Sequence, residues 1–274
     1  METKTVLLDG LNVSYLEAGE TNVKTLLLLH GALGDARWHW GEVIPALGET
    51  FHVLAPDWPG YGSSQKLPHM TIESLLHWIK TFVDAKEAGQ VVVMGSSNGG
   101  LPARLFTAAN PSYVPALILV NGGGVPDSSP MLSLLAKIPG LFKLFSRTTV
   151  SQTTLERMIS NKELLTPEFI QDSRETASGF SGFMRMLVTG SLPKNHTPMV
   201  PTLILWGAND QYTPLDEAKA IHKSIPGSQL VEIAECGHFP QLEAQDVFAW
   251  QVNQFITNLT KPTRRNLGGP QILG

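Results

Sequence analysis

Eight short apolar runs, bounded by turn residues, set the rhythm of this chain. The first two, Thr5–Leu8 and Leu11–Leu16, flank Asp9-Gly10, a strong two-residue hairpin signal. The other six are Thr25–Leu29, His52–Ala55, Gln90–Met94, Ala116–Val120, Thr202–Trp206 and Gln229–Ala234. Most of these are nearly continuous rather than alternating, as in parallel strands covered on both faces. Between them the period lengthens to that of a helix. Glu73–Ala88 carries Leu75, Leu76, Ile79, Phe82 and Val83 along one stripe, and Leu101–Ala109, Asp216–Ser224 and Asp246–Leu259 complete the set. Strands alternating with helices predict an α/β protein, with a doubly wound, mostly parallel eight-stranded sheet that opens on an antiparallel hairpin.

The alternation stops between Val125 and about His196. Helical stretches rich in Leu, Phe and Met replace it: Met131–Leu144, Thr153–Ser160, Pro167–Ser178 and Phe180–Thr189. Such a segment is too long for a simple connection. It predicts a helical cap over 125–196, inserted into a core made of 1–124 and 197–261. The stretch 262–274, rich in Pro, Gly and Asn, is expected to lie loose on the surface.

Composition removes several function classes. The 274 residues carry 20 basic and 24 acidic side chains, a formal charge of −4, with no dense basic run. Phosphate-backbone binding needs a clustered positive footprint, so a nucleic-acid partner is not expected. Lys261 to Arg265, the one moderately basic patch, reads as part of the tail. A single cysteine, Cys236, allows no intrachain disulfide framework and fits a reducing compartment. The start METKTVLLDG does not read as a signal peptide, and no apolar run reaches the ~20 residues of a membrane span. The expectation is a soluble, cytoplasmic monomer or homodimer acting on a small molecule, with no metal and no cofactor.

Chemistry concentrates at VVVMGSSNGG, residues 91 to 100. The pattern G-x-S-x-G fits in one way only, with Ser97 in the middle, because a match on Ser96 would need glycine at Met94 and Asn98. A strand turning sharply into a helix puts the middle residue at the apex with its hydroxyl exposed. A dinucleotide loop is disfavoured, since no G-x-G-x-x-G follows a strand. Serine needs a base. Of eight histidines, His52 begins a strand, His77 and His222 fall in helices, and His69 and His196 lie in polar loops. His238 follows the last strand in AECGHFPQLE, at a carboxyl end of the sheet where ligands of this architecture bind. An acid must orient the imidazole, and Asp210 in WGANDQYTP also follows a strand. The N–H of Asn98, just after the nucleophile, is placed to donate to an oxyanion.

The order Ser97, Asp210, His238 resembles that of the α/β-hydrolase superfamily. Five motifs carry the resemblance: LLLLHGALGD, APDWPGYGSS, GSSNGG, WGANDQYTP and AECGHFPQLE. It covers nearly the whole chain outside the cap and tail, and it implies the α/β-hydrolase fold. It also implies that the N–H of Ala32 is the second oxyanion donor and that His30 organises its loop rather than acting as the base. An acid site after the sixth strand, used by some members, is here occupied by Asn121 and three glycines. Asp57 reads as a turn-building residue.

Members that carry aspartate as nucleophile open epoxides or remove halogens, and Ser97 argues against both. The reading is a serine hydrolase of a small, largely apolar ester or thioester, working through an acyl-enzyme. A C–C bond hydrolase, a hydroxynitrile-type lyase and a ligand-binding receptor stay open as alternatives. Trp38 and Trp40, beside His39, and Phe183 and Met184, with Phe180 and Met186, are candidates to line the pocket. Each of these could equally serve as packing. Cys236 reads as a small buried hydrophobe.

Overall fold

The structure is a computed structural model and describes residues 1–124, 138, 151–175, 179–193 and 196–259. Its sheet has eight strands: β1 (Thr3–Leu8), β2 (Leu11–Ala18), β3 (Thr25–Leu29), β4 (His52–Pro56), β5 (Val91–Ser96), β6 (Leu117–Val120), β7 (Thr202–Gly207) and β8 (Gln229–Ile233). Asp9 and Gly10 both take positive φ, 48° and 81°, as a type I′ hairpin turn requires. The spatial order is β1-β2-β4-β3-β5-β6-β7-β8. β2 pairs antiparallel with β1 and β4, and every other pairing is parallel.

The helices are α1 (Ala36–Trp40), α2 (Ile44–Gly48), α3 (Ile72–Ala85), α4 (Gly100–Ala109), α5 (Gln152–Met158), α6 (Pro167–Glu175), α7 (Phe180–Thr189), α8 (Leu215–Ser224), α9 (Pro240–Glu243) and α10 (Gln245–Leu259). α3 starts at a reciprocal cap in which Thr71 and Ser74 satisfy each other's backbone N–H groups. Its Leu75, Ile79, Phe82 and Val83 are buried, as the stripe predicts. The five-residue helices α1 and α2 and the four-residue α9 lie outside the predicted elements, being too short to show a period. α7 matches the expected 180–189 stretch, whereas α5 starts one residue before the expected 153–160 stretch and ends two residues short of it. Of the expected helix Met131–Leu144 only residue 138 is described, and 176–178 and 262–274 fall outside the described residues.

Successive strand residues feed opposite faces. Leu27, Leu29, Val93, Leu117 and Leu119 join α3, α4, α7 and α8 in one core. Leu26, Leu28, Val92, Met94, Ile118 and Val120 join α1, α2 and α10 in the other. The strands are thus covered on both sides, which explains their unbroken apolar runs. The order reverses at β3, where β4 lies on one side and β5 on the other. β3 and β5 run parallel, with Leu29 beside Gly95. Their carboxyl ends form the switch point at which open sheets of this kind bind ligands. Among the described residues, no helix is long and apolar enough to cross a membrane.

Candidate active site

β5 ends in Ser96, which is fully buried, and the chain then turns through Ser97 into a short 3-10 turn and α4. Ser97 has φ +51°, in the left-handed region that costs a non-glycine residue roughly 1–2 kcal/mol. The turn closes because small residues let the chains approach. A Cβ on Gly99 would stand 2.3 Å from the His30 carbonyl oxygen, and one on Gly31 would stand 3.1 Å from Ser97 Cβ. The loop after β3 therefore runs directly past the serine.

Three side chains from three loops form one hydrogen-bonded line. His238 Nε2 lies 2.8 Å from Ser97 Oγ, and His238 Nδ1 lies 2.6 Å from Asp210 Oδ2. Burial works to raise the Asp210 carboxyl, but hydrogen bonds from His238 and Thr213 outweigh it and hold the group below its ordinary value. An ionised carboxylate only accepts, so Nδ1 must carry the hydrogen. That leaves Nε2 of the neutral ring free to accept from the Ser97 hydroxyl. Asp210 is held further by Tyr212 N–H (2.8 Å), Thr213 N–H (3.0 Å), the Thr213 hydroxyl (2.5 Å) and Asn121 Nδ2 (2.7 Å). Asn121 is the residue immediately after β6; the sequence marks its position but not its partner.

The loop carrying Ala32 is braced by histidines. His30 Nδ1 donates to the Gly31 carbonyl at 2.7 Å, and Nε2 accepts from Trp58 N–H at 3.0 Å. Both ring nitrogens are occupied and burial depresses its pKa to about 3, so the ring stays neutral. Tyr61 donates to the Ala32 carbonyl at 2.9 Å. His39 is also fully buried, with Nε2 against the Leu33 carbonyl. Asp57 accepts from Ser14 at 2.5 Å and from Ala36 N–H at 2.9 Å, and so ties the turn to the start of α1.

The pocket expectations need correction. Trp40 is fully buried against Phe248, in the core on the α2 and α10 side of the sheet. Phe183 is fully buried against Trp58, and Met184 packs on the same core half-buried. Trp38 stacks edge-on with Phe239 and donates from Nε1 to Ser173. None of the four lines the cavity of about 720 Å³ that opens on Ser97. Its walls include Asn98, Arg104, Asn121, Tyr212, Thr213 and Glu217. Cys236 is buried, which pushes its thiol up.

One acidic residue escaped the sequence reading. Glu243, on α9, accepts from the Gly237 and Phe239 N–H groups at 3.1 and 3.4 Å, on either side of His238. Its other oxygen accepts from Ser160 and Asn161 N–H at 2.7 and 3.0 Å, just beyond α5. The His238 N–H itself donates to the Met158 carbonyl at 2.6 Å.

Residues 26–251 match the model of the alpha/beta hydrolase family. A 2-hydroxy-6-oxononadienedioate/2-hydroxy-6-oxononatrienedioate hydrolase of Pseudomonas putida is 29% identical over 275 aligned residues, covering 90% of this chain and 93% of that enzyme. A thermophilic esterase from Thermogutta terrifontis superposes with a TM-score of 0.81 at 21% identity, covering 95% of this chain and 100% of that one. A meta-cleavage product hydrolase from Pseudomonas fluorescens gives 0.74 at 24% identity, covering 93% and 97%.

Proposed function

We propose that this chain, which belongs to the alpha/beta hydrolase family, is a serine hydrolase cleaving a small carboxylic ester or thioester through an acyl-enzyme. The observation that carries the reading is the unbroken line from Ser97 Oγ through the His238 ring to Asp210. Ser97 attacks the carbonyl carbon while its proton passes to His238 Nε2. Asp210 holds the tautomer and stabilises the imidazolium. The oxyanion collects the N–H groups of Ala32 and Asn98, each worth roughly 3–4 kcal/mol. His238 returns the proton to the leaving alcohol or thiol, then deprotonates a water that attacks the acyl carbon and frees the acid. The 125–196 segment covers the site as a cap.

A second reading is favoured by the relatives: the Pseudomonas putida enzyme is named for hydrolysis of a dienedioate, a C–C bond reaction. The same serine, base and oxyanion donors suit a ketone carbonyl. Incubation with 4-nitrophenyl esters of graded chain length, with mass spectrometry of the quenched protein, separates the two. The ester reading expects acyl mass on the peptide containing Ser97. No adduct and no ester turnover, together with loss of the dienolate absorbance of a 2-hydroxy-6-oxodienoate, would favour the C–C reaction.

A further inference from the structure

The cavity that opens on Ser97 has a buried cation in its wall. Arg104 lies on α4 and is 3% exposed. Its Nε donates to the His196 carbonyl at 2.9 Å, Nη1 to the Gly123 carbonyl at 3.2 Å and Nη2 to Ser224 Oγ at 3.1 Å. Those three acceptors stand before β7, after β6 and at the end of α8, so the guanidinium plane is fixed from three directions. All three are neutral. Among the described residues, no carboxylate forms an ion pair with Arg104. Glu217, the carboxylate in the same cavity wall, is exposed on α8.

Burying a guanidinium without a counter-charge is costly. A mere clamp between elements needs donors, and does not call for an uncompensated charge facing a cavity. Two of the five guanidinium N–H groups have no acceptor among the described residues, and a planar fork of this kind suits a carboxylate. Ser97 and Arg104 are seven residues apart along the turn and α4. α4 begins only at Gly100, so what joins the two is the cavity whose wall both of them line.

We infer that Arg104 forms an anion subsite for the acyl portion of the substrate. The preferred acyl group ends in a carboxylate or similar single anion, set several bonds from the carbonyl that meets Ser97. The acyl portion stays on the nucleophile through turnover, so the walls beside Ser97 and Asn98 are the ones that hold it. This rests on the serine-hydrolase reading for the identity of the reacting atom, while anion binding itself can be read without turnover.

Two measurements test it. The first compares kcat/KM for 4-nitrophenyl hydrogen adipate and suberate with that for neutral 4-nitrophenyl esters of matched length. The native protein is expected to favour the charged esters. Arg104→Gln should lower the charged-to-neutral ratio by about tenfold or more, and Arg104→Lys should recover part of it. The second is calorimetry of free suberate with Ser97→Ala, in which chemistry is blocked. Suberate should bind, with Kd rising about tenfold or more when Arg104→Gln is added. If the ester assay shows no turnover, the proposed reaction fails while the calorimetry still decides the subsite. A parallel fall for charged and neutral esters, no binding of suberate to Ser97→Ala, or equal binding with and without Arg104, overturns the inference.

Discussion

Asn121 Nδ2 donates to Asp210 Oδ2 at 2.7 Å, across the carboxyl ends of the adjacent strands β6 and β7. The same amide accepts Gly207 N–H through Oδ1 at 3.1 Å, so it is locked between the end of one strand and the acid that follows the next. Its φ of +44° aims the side chain from a backbone that glycine also tolerates. Asn121→Gly therefore removes the amide while leaving the turn intact. Removing a donor to the ionised form raises the Asp210 pKa. We predict a fall in kcat of about tenfold, with the acid limb of the pH–rate profile displaced upward. A kcat within about twofold of native, with no displacement, would show that Thr213 and the two loop amides hold Asp210 unaided.

Ser97 combines a half-buried, cavity-lining hydroxyl with a left-handed backbone, and two substitutions separate them. Ser97→Ala and Ser97→Gly should each lower kcat by on the order of 10⁴–10⁶. Glycine relieves the positive φ, so Ser97→Gly should exceed Ser97→Ala in stability by about 1 kcal/mol in urea unfolding. Residual activity above about a tenth in either variant would remove Ser97 as nucleophile.

Glu243 takes four backbone N–H groups, two beside His238 and two beyond α5. Glu243→Gln replaces one accepting oxygen with an NH₂ that cannot accept, leaving two of those groups unanswered. The expected cost is about 1–3 kcal/mol of stability. Faster amide exchange at Gly237 and Ser160 should accompany it. Native exchange rates at both positions would mean that the Met158 carbonyl bond alone holds the loop.

Burial holds His30 at about 3, and His39 well below the ordinary imidazole value, through burial and the neighbouring His30. An unfolded chain takes up protons on both below about pH 6.5. Between about 3 and 6.5 the unfolded state thus binds more protons, and stability from this pair falls as pH falls. Asp57, raised to about 6 mainly by burial, has the opposite sign: from about 6 down to 4 its native form gains the proton first. The two histidines outnumber it, so we predict a net loss of a few kcal/mol between pH 6.5 and 4.5. Urea midpoints across that range check the sign, and His39→Gln should flatten the slope.

Much of the framework was readable because parallel strands announce themselves as unbroken apolar runs, and because Ser97, Asp210 and His238 each follow such a run directly. What escaped depends on contacts far along the chain. Asn121 was visible as the residue after β6, yet its bond to Asp210 spans 89 positions. Glu243 closes the motif AECGHFPQLE, yet nothing local shows that it reaches Ser160 and Asn161, 83 and 82 positions earlier. The three short helices lack enough turns to reveal a period. Trp40 illustrates the converse error: proximity in sequence to the oxyanion loop suggested the pocket, whereas α1 turns it to the other face of the sheet. Phe183 erred similarly, since an apolar helix face serves packing and ligand alike until its neighbours are known.

The bond from the His238 N–H to the Met158 carbonyl bears on how this chain could be re-engineered. An inserted segment is usually treated as a portable module, exchanged to alter specificity while the core is kept. Here the last residue of α5 supplies the acceptor for the His238 N–H, and the backbone just beyond it supplies two of the donors to Glu243. A graft replacing 125–196 would carry away the partners that 158–161 supply to the loop around His238. A workable chimera would keep 158–161 from the recipient.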